Sequence, residues 1–281
     1  MTATQSSPPP GILQTTGEGG VRAFQNQETR ILSAMGRKLM EPELLLVLIV
    51  GLVAGVISGI IGTGSSIMLL PILTYVYGPK EAIPIMAVAA VMANVSRILV
   101  WSRSVDWRAV AAYAATGIPA AALGARTMLV LPPHVVDASI GIFFLAMIPM
   151  RRRCAAYLRQ LSLRHLAFAG AIIGFLTGIV VSTGPISVPV FLGYGLTKGS
   201  FIGTEAAASL TIYITKTLTF QSFGALPFAT LAKGLTVGES LMVGSLLAKP
   251  FLLRLTPETF RHVMDALLLG TGASLLWGAA S

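Results

Sequence analysis

Two basic residues, Arg97 and Lys216, stand inside long apolar runs. Two short polar breaks, Gly62-Thr63-Gly64-Ser65-Ser66 and Ser182-Thr183-Gly184-Pro185, interrupt the runs that precede them. A cation within an apolar segment marks a functional site unless its side chain snorkels to the segment end. Both lie about one helical turn from such an end, so both readings are open at this stage. A helix restarting just after Gly64 or Gly184 presents free backbone N–H groups and a positive dipole end. Hydroxyls of Thr63, Ser65, Ser66, Ser182 and Thr183 add donors. Asn94, one turn before Arg97, adds an amide, and Tyr213 holds the equivalent place before Lys216. Donors and cations without a metal suit a small oxyanion. The expected anion site is therefore Gly62, Thr63, Gly64, Ser65, Ser66, Asn94, Arg97, Ser182, Thr183, Gly184, Pro185, Tyr213 and Lys216. If both cations face the centre, the anion supplies the charge compensation they need.

Glu205 and Glu239 are the carboxylates expected within spans. Glu205 falls in the first turn of its segment, after Gly203-Thr204. Two roles are open to it: complementing a helix N-terminus, or carrying a proton that couples to anion movement. No catalytic constellation accompanies these groups. The chain has no Gly-x-Ser-x-Gly elbow, His-Glu-x-x-His pair or Walker loop. Cys154 is the sole cysteine, and His134, His165 and His262 lie near the ends of apolar runs. Neither an enzyme, a metal site nor a cofactor is expected.

The elements that must hold these residues are membrane helices. Hydrophobic types make up 54% of the 281 residues and charged types 11%, with mean hydropathy +0.78. Soluble domains carry about 25% charged residues. A spanning helix needs roughly 20 apolar residues. Apolar segments run over 44–61, 64–78, 82–101, 109–130 and 134–150, then over 166–182, 185–196, 201–222, 228–248 and 262–279. The predicted fold class is all-α, a polytopic membrane protein. Residues 1–40, rich in Ser, Pro, Gly, Gln and Thr, read as a disordered tail.

The halves align at an offset of 119 residues. Gly55 and Gly59 match Gly174 and Gly178, Ser58 matches Thr177, and Arg97 and Trp101 match Lys216 and Phe220. This divides the chain into a first repeat at 41–150, a basic cytoplasmic loop at 151–165 and a second repeat at 166–281. Matching interruptions in two halves point to a transporter's binding site. The net charge of +9 gathers in short loops, densest at Arg151, Arg152 and Arg153 with Arg159 and Arg164. That is the positive-inside pattern, not a nucleic-acid face. The loop charges favour repeats of opposite orientation, with Arg103, Arg108 and the stretch Lys249 to Arg261 inside. The tail's Arg37 and Lys38 then fall outside. A single crossing by each interrupted pair brings the tail inside and sends Lys249 to Arg261 outside. Trp101 and Trp107 read as an aromatic belt, and Arg126 as a snorkelling residue. The expected partners are a small anionic substrate and the bilayer of a cell (inner or plasma) membrane; a homo-oligomer is left open.

The run from Gly51 through Gly64, Asn94, and Val105-Asp106-Trp107-Arg108 resembles the TauE/SafE sulfite exporter family. So do Leu131-Pro132-Pro133 and the run Gly174 to Pro185 with Gly203-Thr204. The resemblance covers about residues 44–279. It implies a membrane transporter, commonly outward, for sulfite, organosulfonates and related small anions. Thr183-Gly184-Pro185 departs from the family's Gly pair before Pro, and Tyr213 stands where Asn is expected. A carboxylate carrier and a non-transporting membrane scaffold remain the alternative functions.

Overall fold

The computed structural model describes residues 42–61, 64–132, 160–180 and 183–248, with scattered residues of 134–146 and with 269 and 273. The expected tail, Gly62, Thr63, Ser182, most of the 151–165 loop and the segment 262–279 lie outside the described residues. By its contacts the chain divides into Met1–Leu45 and Leu46–Ser281. Of the first unit only the opening residues of helix α1 are described.

The described residues are helical, with no strand among them. The helices are α1 Pro42–Ile61, α2 Ser65–Tyr77, α3 Pro79–Trp101, α4 Trp107–Val130, α5 Leu163–Ile179, α6 Gly184–Gly193, α7 Lys198–Ser222 and α8 Phe228–Leu247. Local chemistry sets several boundaries. Asp106 caps α4 by accepting from the N–H of Arg108 (3.0 Å) and Ala109 (3.2 Å). A capping box between Thr197 and Ser200 starts α7 at Lys198, earlier than the expected 201. Helix α5 ends at Ile179, before the expected 182. Gly64, at φ +110°, opens α2 in a left-handed conformation that a side chain would resist.

Packing relies on glycine. A Cβ added at Gly55 would stand 2.4 Å from the Leu241 carbonyl oxygen, and one at Gly244 2.2 Å from that of Leu52. Helices α1 and α8 thus touch backbone to backbone. The α4–α5 pair repeats the device: a Cβ at Gly124 would meet the Phe175 carbonyl oxygen at 2.2 Å, and one at Gly170 that of Tyr113 at 2.2 Å. Small residues spaced by four on such faces are how helices associate where water supplies no driving force. The first helix after each expected repeat start therefore packs on the fourth helix of the other half.

The same contacts fix directions. Gly234 lies against Ile85 and Val88, and Gly238 against Met92, so α8 runs parallel to α3. Gly51, Gly55 and Gly59 meet Ser240, Leu241 and Ser245 in that order, so α1 runs parallel to α8. Gly170, Gly174 and Gly178 meet Tyr113, Gly117 and Ala121, so α5 runs parallel to α4. Arg97 pairs with Glu205 while Trp101 packs on Gly199 and Gly203, which sets α7 antiparallel to α3. Helices α1, α3 and α8 start at one end of the bundle; α4, α5 and α7 start at the other.

Each interrupted pair is consequently a re-entrant hairpin. Gly78 alone links α2 to α3, so α2 returns to the end where α1 began. The Leu161 N–H donates to the Gly193 carbonyl (2.9 Å), so α6 returns to the end where α5 began. The two hairpins enter from opposite ends. Such a pair ends on the side where it began, as in the two-segment count weighed from sequence and not as in the single crossing.

Helices α3 and α7 form the centre. Ala82 through Ala90 are buried almost without break. Apolar side chains cover the exterior instead: Leu123, Phe168, Leu218 and Phe228 are 61–84% exposed. An outward apolar surface of this kind is matched by lipid. Among the described helices, the stretch Lys80–Ser104 is long and apolar enough by itself to span a bilayer. The hairpin helices are too short, and Gly, Thr and Lys dilute the apolar character of the others.

Candidate functional site

The two hairpin tips meet at a buried cavity. Gly64, Ser65 and Ser66 line it from the first tip, and Thr177, Thr183 and Gly184 from the second. Helix α3 contributes Ala90, Ala93, Asn94 and Arg97; helix α7 contributes Glu205, Ser209, Ile212 and Tyr213; helix α4 contributes Tyr113. Among the described residues no side chain caps the N-terminus of α2 or of α6. Both positive helix ends therefore open on a space rich in donors. The space open to the centre of a water is about 20 Å³, enough for one water. A four-atom oxyanion needs the site to widen.

Arg97 is the central charge. It is 5% exposed, which rules out snorkelling within the described chain. Its Nη2 donates to Asn94 Oδ1 (2.6 Å) and its Nη1 to Glu205 Oε2 (3.3 Å). The Asn94 amide is in turn anchored on the Ala90 carbonyl (2.7 Å), which fixes its oxygen toward the guanidinium. Arg97 Nε is buried and makes no hydrogen bond among the described residues. Glu205, 2% exposed, also accepts through Oε1 from Ser209 (2.8 Å) and Ser187 (3.1 Å). It lies in the third turn of α7, not the first, because the helix starts at Lys198, after the Thr197 capping box. Its partners make it the counter-charge of Arg97 and not a helix-terminal charge.

Lys216 is turned away from the cavity. Its Nζ donates to the carbonyls of Thr177 (2.8 Å) and Val180 (2.9 Å), at the end of α5, and lies 5.4 Å from the centre of the Phe220 ring. The two cations matched by the repeat offset therefore hold different things. The expectation that both face an anion is corrected: Lys216 meets the carbonyls that α5 leaves unbonded at its end. The site is also not made of donors alone, because Glu205 places an acceptor in it.

Of the other expected site residues, Gly64, Ser65, Ser66, Asn94, Thr183, Gly184 and Tyr213 line the cavity. Gly62, Thr63 and Ser182 lie outside the described residues, as does the side chain of Pro185. Glu239 is exposed on the outer face of α8. Trp101 is partly buried and packs on α7: a Cβ at Gly199 would stand 2.2 Å from its ring. Trp107 is 62% exposed. Arg126 sits on the exterior, with its guanidinium 5.7 Å from the Phe223 ring centre. Four polar residues were not expected at the site, Thr177 being one of them. Ser209 stands one turn after Glu205 and Ser187 one turn after Gly184, a spacing that could have revealed both. Nothing near Tyr113 signals its place, which its ring contact with Phe191 (5.3 Å) secures.

Residues 47–275 match the family model described as sulfite exporter TauE/SafE. The chain belongs to the TauE/SafE family. As a TauE/SafE protein it is a membrane protein of a transporter family. No curated protein and no solved structure matches it. The match takes in both hairpins and the whole cavity, so the site lies inside the TauE/SafE region.

Proposed function

We propose that this TauE/SafE protein is a secondary transporter, in the direction of export, for small sulfur-containing anions such as sulfite or organosulfonates. The observation that carries the reading is the convergence of two uncapped half-helix N-termini and the Arg97 guanidinium on one buried cavity. In this reading the substrate is held by the N-terminal turns of α2 and α6, by hydroxyls of Ser65, Ser66 and Thr183, and by Arg97 and Asn94. The unbonded Nε of Arg97 is a donor ready for it. Gly62, Thr63, Ser182 and Pro185 complete the two tips.

Oppositely oriented hairpins favour alternating access, with the 41–150 and 166–281 halves opening the cavity to one side and then the other. The positive-inside rule sets the end bearing Arg103 and Arg108 in the cytoplasm of a multi-pass cell-membrane protein. Glu205 supplies the coupling. The Arg97–Glu205 pair is neutral, so an incoming anion leaves the buried site negative. One proton on Glu205 removes that charge and frees Arg97 for the substrate. A non-transporting scaffold would make no use of a central polar cavity faced by two helix N-termini and Arg97.

Flux in proteoliposomes tests this. Sulfite, sulfoacetate, taurine and simple carboxylates are compared with and without a pH gradient. Sulfur oxyanions should move and a gradient should drive them. Absence of flux for every anion from folded protein removes the transport reading, and preference for carboxylates reassigns the substrate.

A further inference from the structure

The half-to-half offset pairs Lys216 with Arg97, yet the two ammonium and guanidinium groups point to different tasks. Lys216 is 1% exposed. Both of its hydrogen bonds go to backbone carbonyls, of Thr177 and Val180, where α5 ends and the second break begins. Helix α5 is left with orphan carbonyls and a negative dipole end at that point. An ammonium in contact with them neutralises both. One of the two residues it grips, Thr177, belongs to the cavity wall. The Thr177 hydroxyl shares a 2.5 Å hydrogen bond with the Thr183 hydroxyl across the break. Thr183 in turn receives the first turn of α6 through its carbonyl, from the N–H of Ile186 (2.9 Å) and Ser187 (3.0 Å).

We propose that Lys216 is a positioning residue for the anion site: it clamps the end of α5 so that Thr177, Thr183 and the start of α6 keep their place on the cavity. It acts through the break and does not touch the anion. This rests on the anion-transport reading for its effect on flux, but the clamp itself stands on geometry alone.

Two measurements test it on the full-length protein in detergent or proteoliposomes. The first is hydrogen exchange of the backbone over residues 180–187, read without substrate, in wild type, Lys216→Met and Lys216→Arg. Lys216→Met should speed exchange there about tenfold, the loss expected for one charged hydrogen-bond contact, while Lys216→Arg should stay near wild type. The second is transport of a singly charged sulfonate and of sulfite. Lys216→Met should raise KM for both by one common factor, with Vmax changed less, and Lys216→Arg should rescue it. Unchanged exchange in Lys216→Met overturns the clamp whether or not the chain transports anything. A KM rise confined to the more highly charged anion overturns it too, because it would place Lys216 against the substrate. If Lys216→Met fails to fold, Lys216→Gln, which keeps a donor and loses the charge, takes its place under the same two criteria.

Discussion

At the scale of single residues, the site turns on a buried pair 108 positions apart in sequence. Removing one partner of such a pair is costly because the other is left charged and unmet. Glu205→Ala should therefore destabilise the protein by about 3–5 kcal/mol in a detergent unfolding titration. Glu205→Gln keeps an oxygen for Ser187 and Ser209, so it should fold. In proteoliposomes it should transport without response to a pH gradient, and a gradient-driven Glu205→Gln would remove the coupling role. The identity of Arg97 was legible in the sequence, since a cation in an apolar run has few explanations. Its partner was not, because Glu205 also suited a helix start, whereas the Thr197–Ser200 capping box starts the helix about two turns before it. The orientation of Lys216 was hidden for a related reason. Periodicity shows that a residue is buried, but whether its last atoms meet a ligand or a carbonyl depends on where the neighbouring helix ends.

At the scale of elements, the crossings of α1 with α8 and of α4 with α5 are built on missing side chains. A methyl at Gly55 or Gly178 would press on backbone, at 2.4 Å from the Leu241 oxygen and 2.6 Å from the Ala121 oxygen. Backbone cannot rotate aside as a rotamer can. Gly55→Ala and Gly178→Ala should each cost about 1–3 kcal/mol by thermal or denaturant unfolding. Gly78→Ala meets no neighbouring atom but sits at φ +76°, so its cost is backbone strain alone, about 1 kcal/mol. If the three variants unfold together, the close crossings are not what the glycines are for. The eight described helices were largely visible as apolar segments, and their glycine spacing was visible too. What the spacing did not reveal was the partner. Gly55 and Gly59 match Gly174 and Gly178 as equivalents, which invites the idea that they meet, whereas each set packs on the fourth helix of the opposite half.

At the scale of the whole molecule, the two hairpins give the bundle two ends of different character. Arg103, Arg108 and Arg164 stand at the end where α4, α5 and α7 start, and the basic stretch 151–159 precedes α5 in sequence. Cys154, the sole cysteine, stands in that basic stretch and serves as a native reporter. A membrane-impermeant thiol reagent should label it from the cytoplasmic side only, and a cysteine placed at Leu131 only from the opposite side. Labelling of both from one face would contradict the proposed orientation. Counting each hairpin as two segments keeps the parity, because a hairpin that enters and leaves by one end does not change sides.

The exchange of partners between halves has a consequence for how the chain is made. Helix α1 leaves the ribosome early, but the surface that covers its glycine face, α8, is synthesised almost last. Until then that face has lipid or a chaperone for company. The N-terminal half therefore cannot complete the packing of α1 before α8 has been made. A chain that stalls or is truncated before Phe228 presents an unfinished surface to membrane quality control, even though its first half is complete.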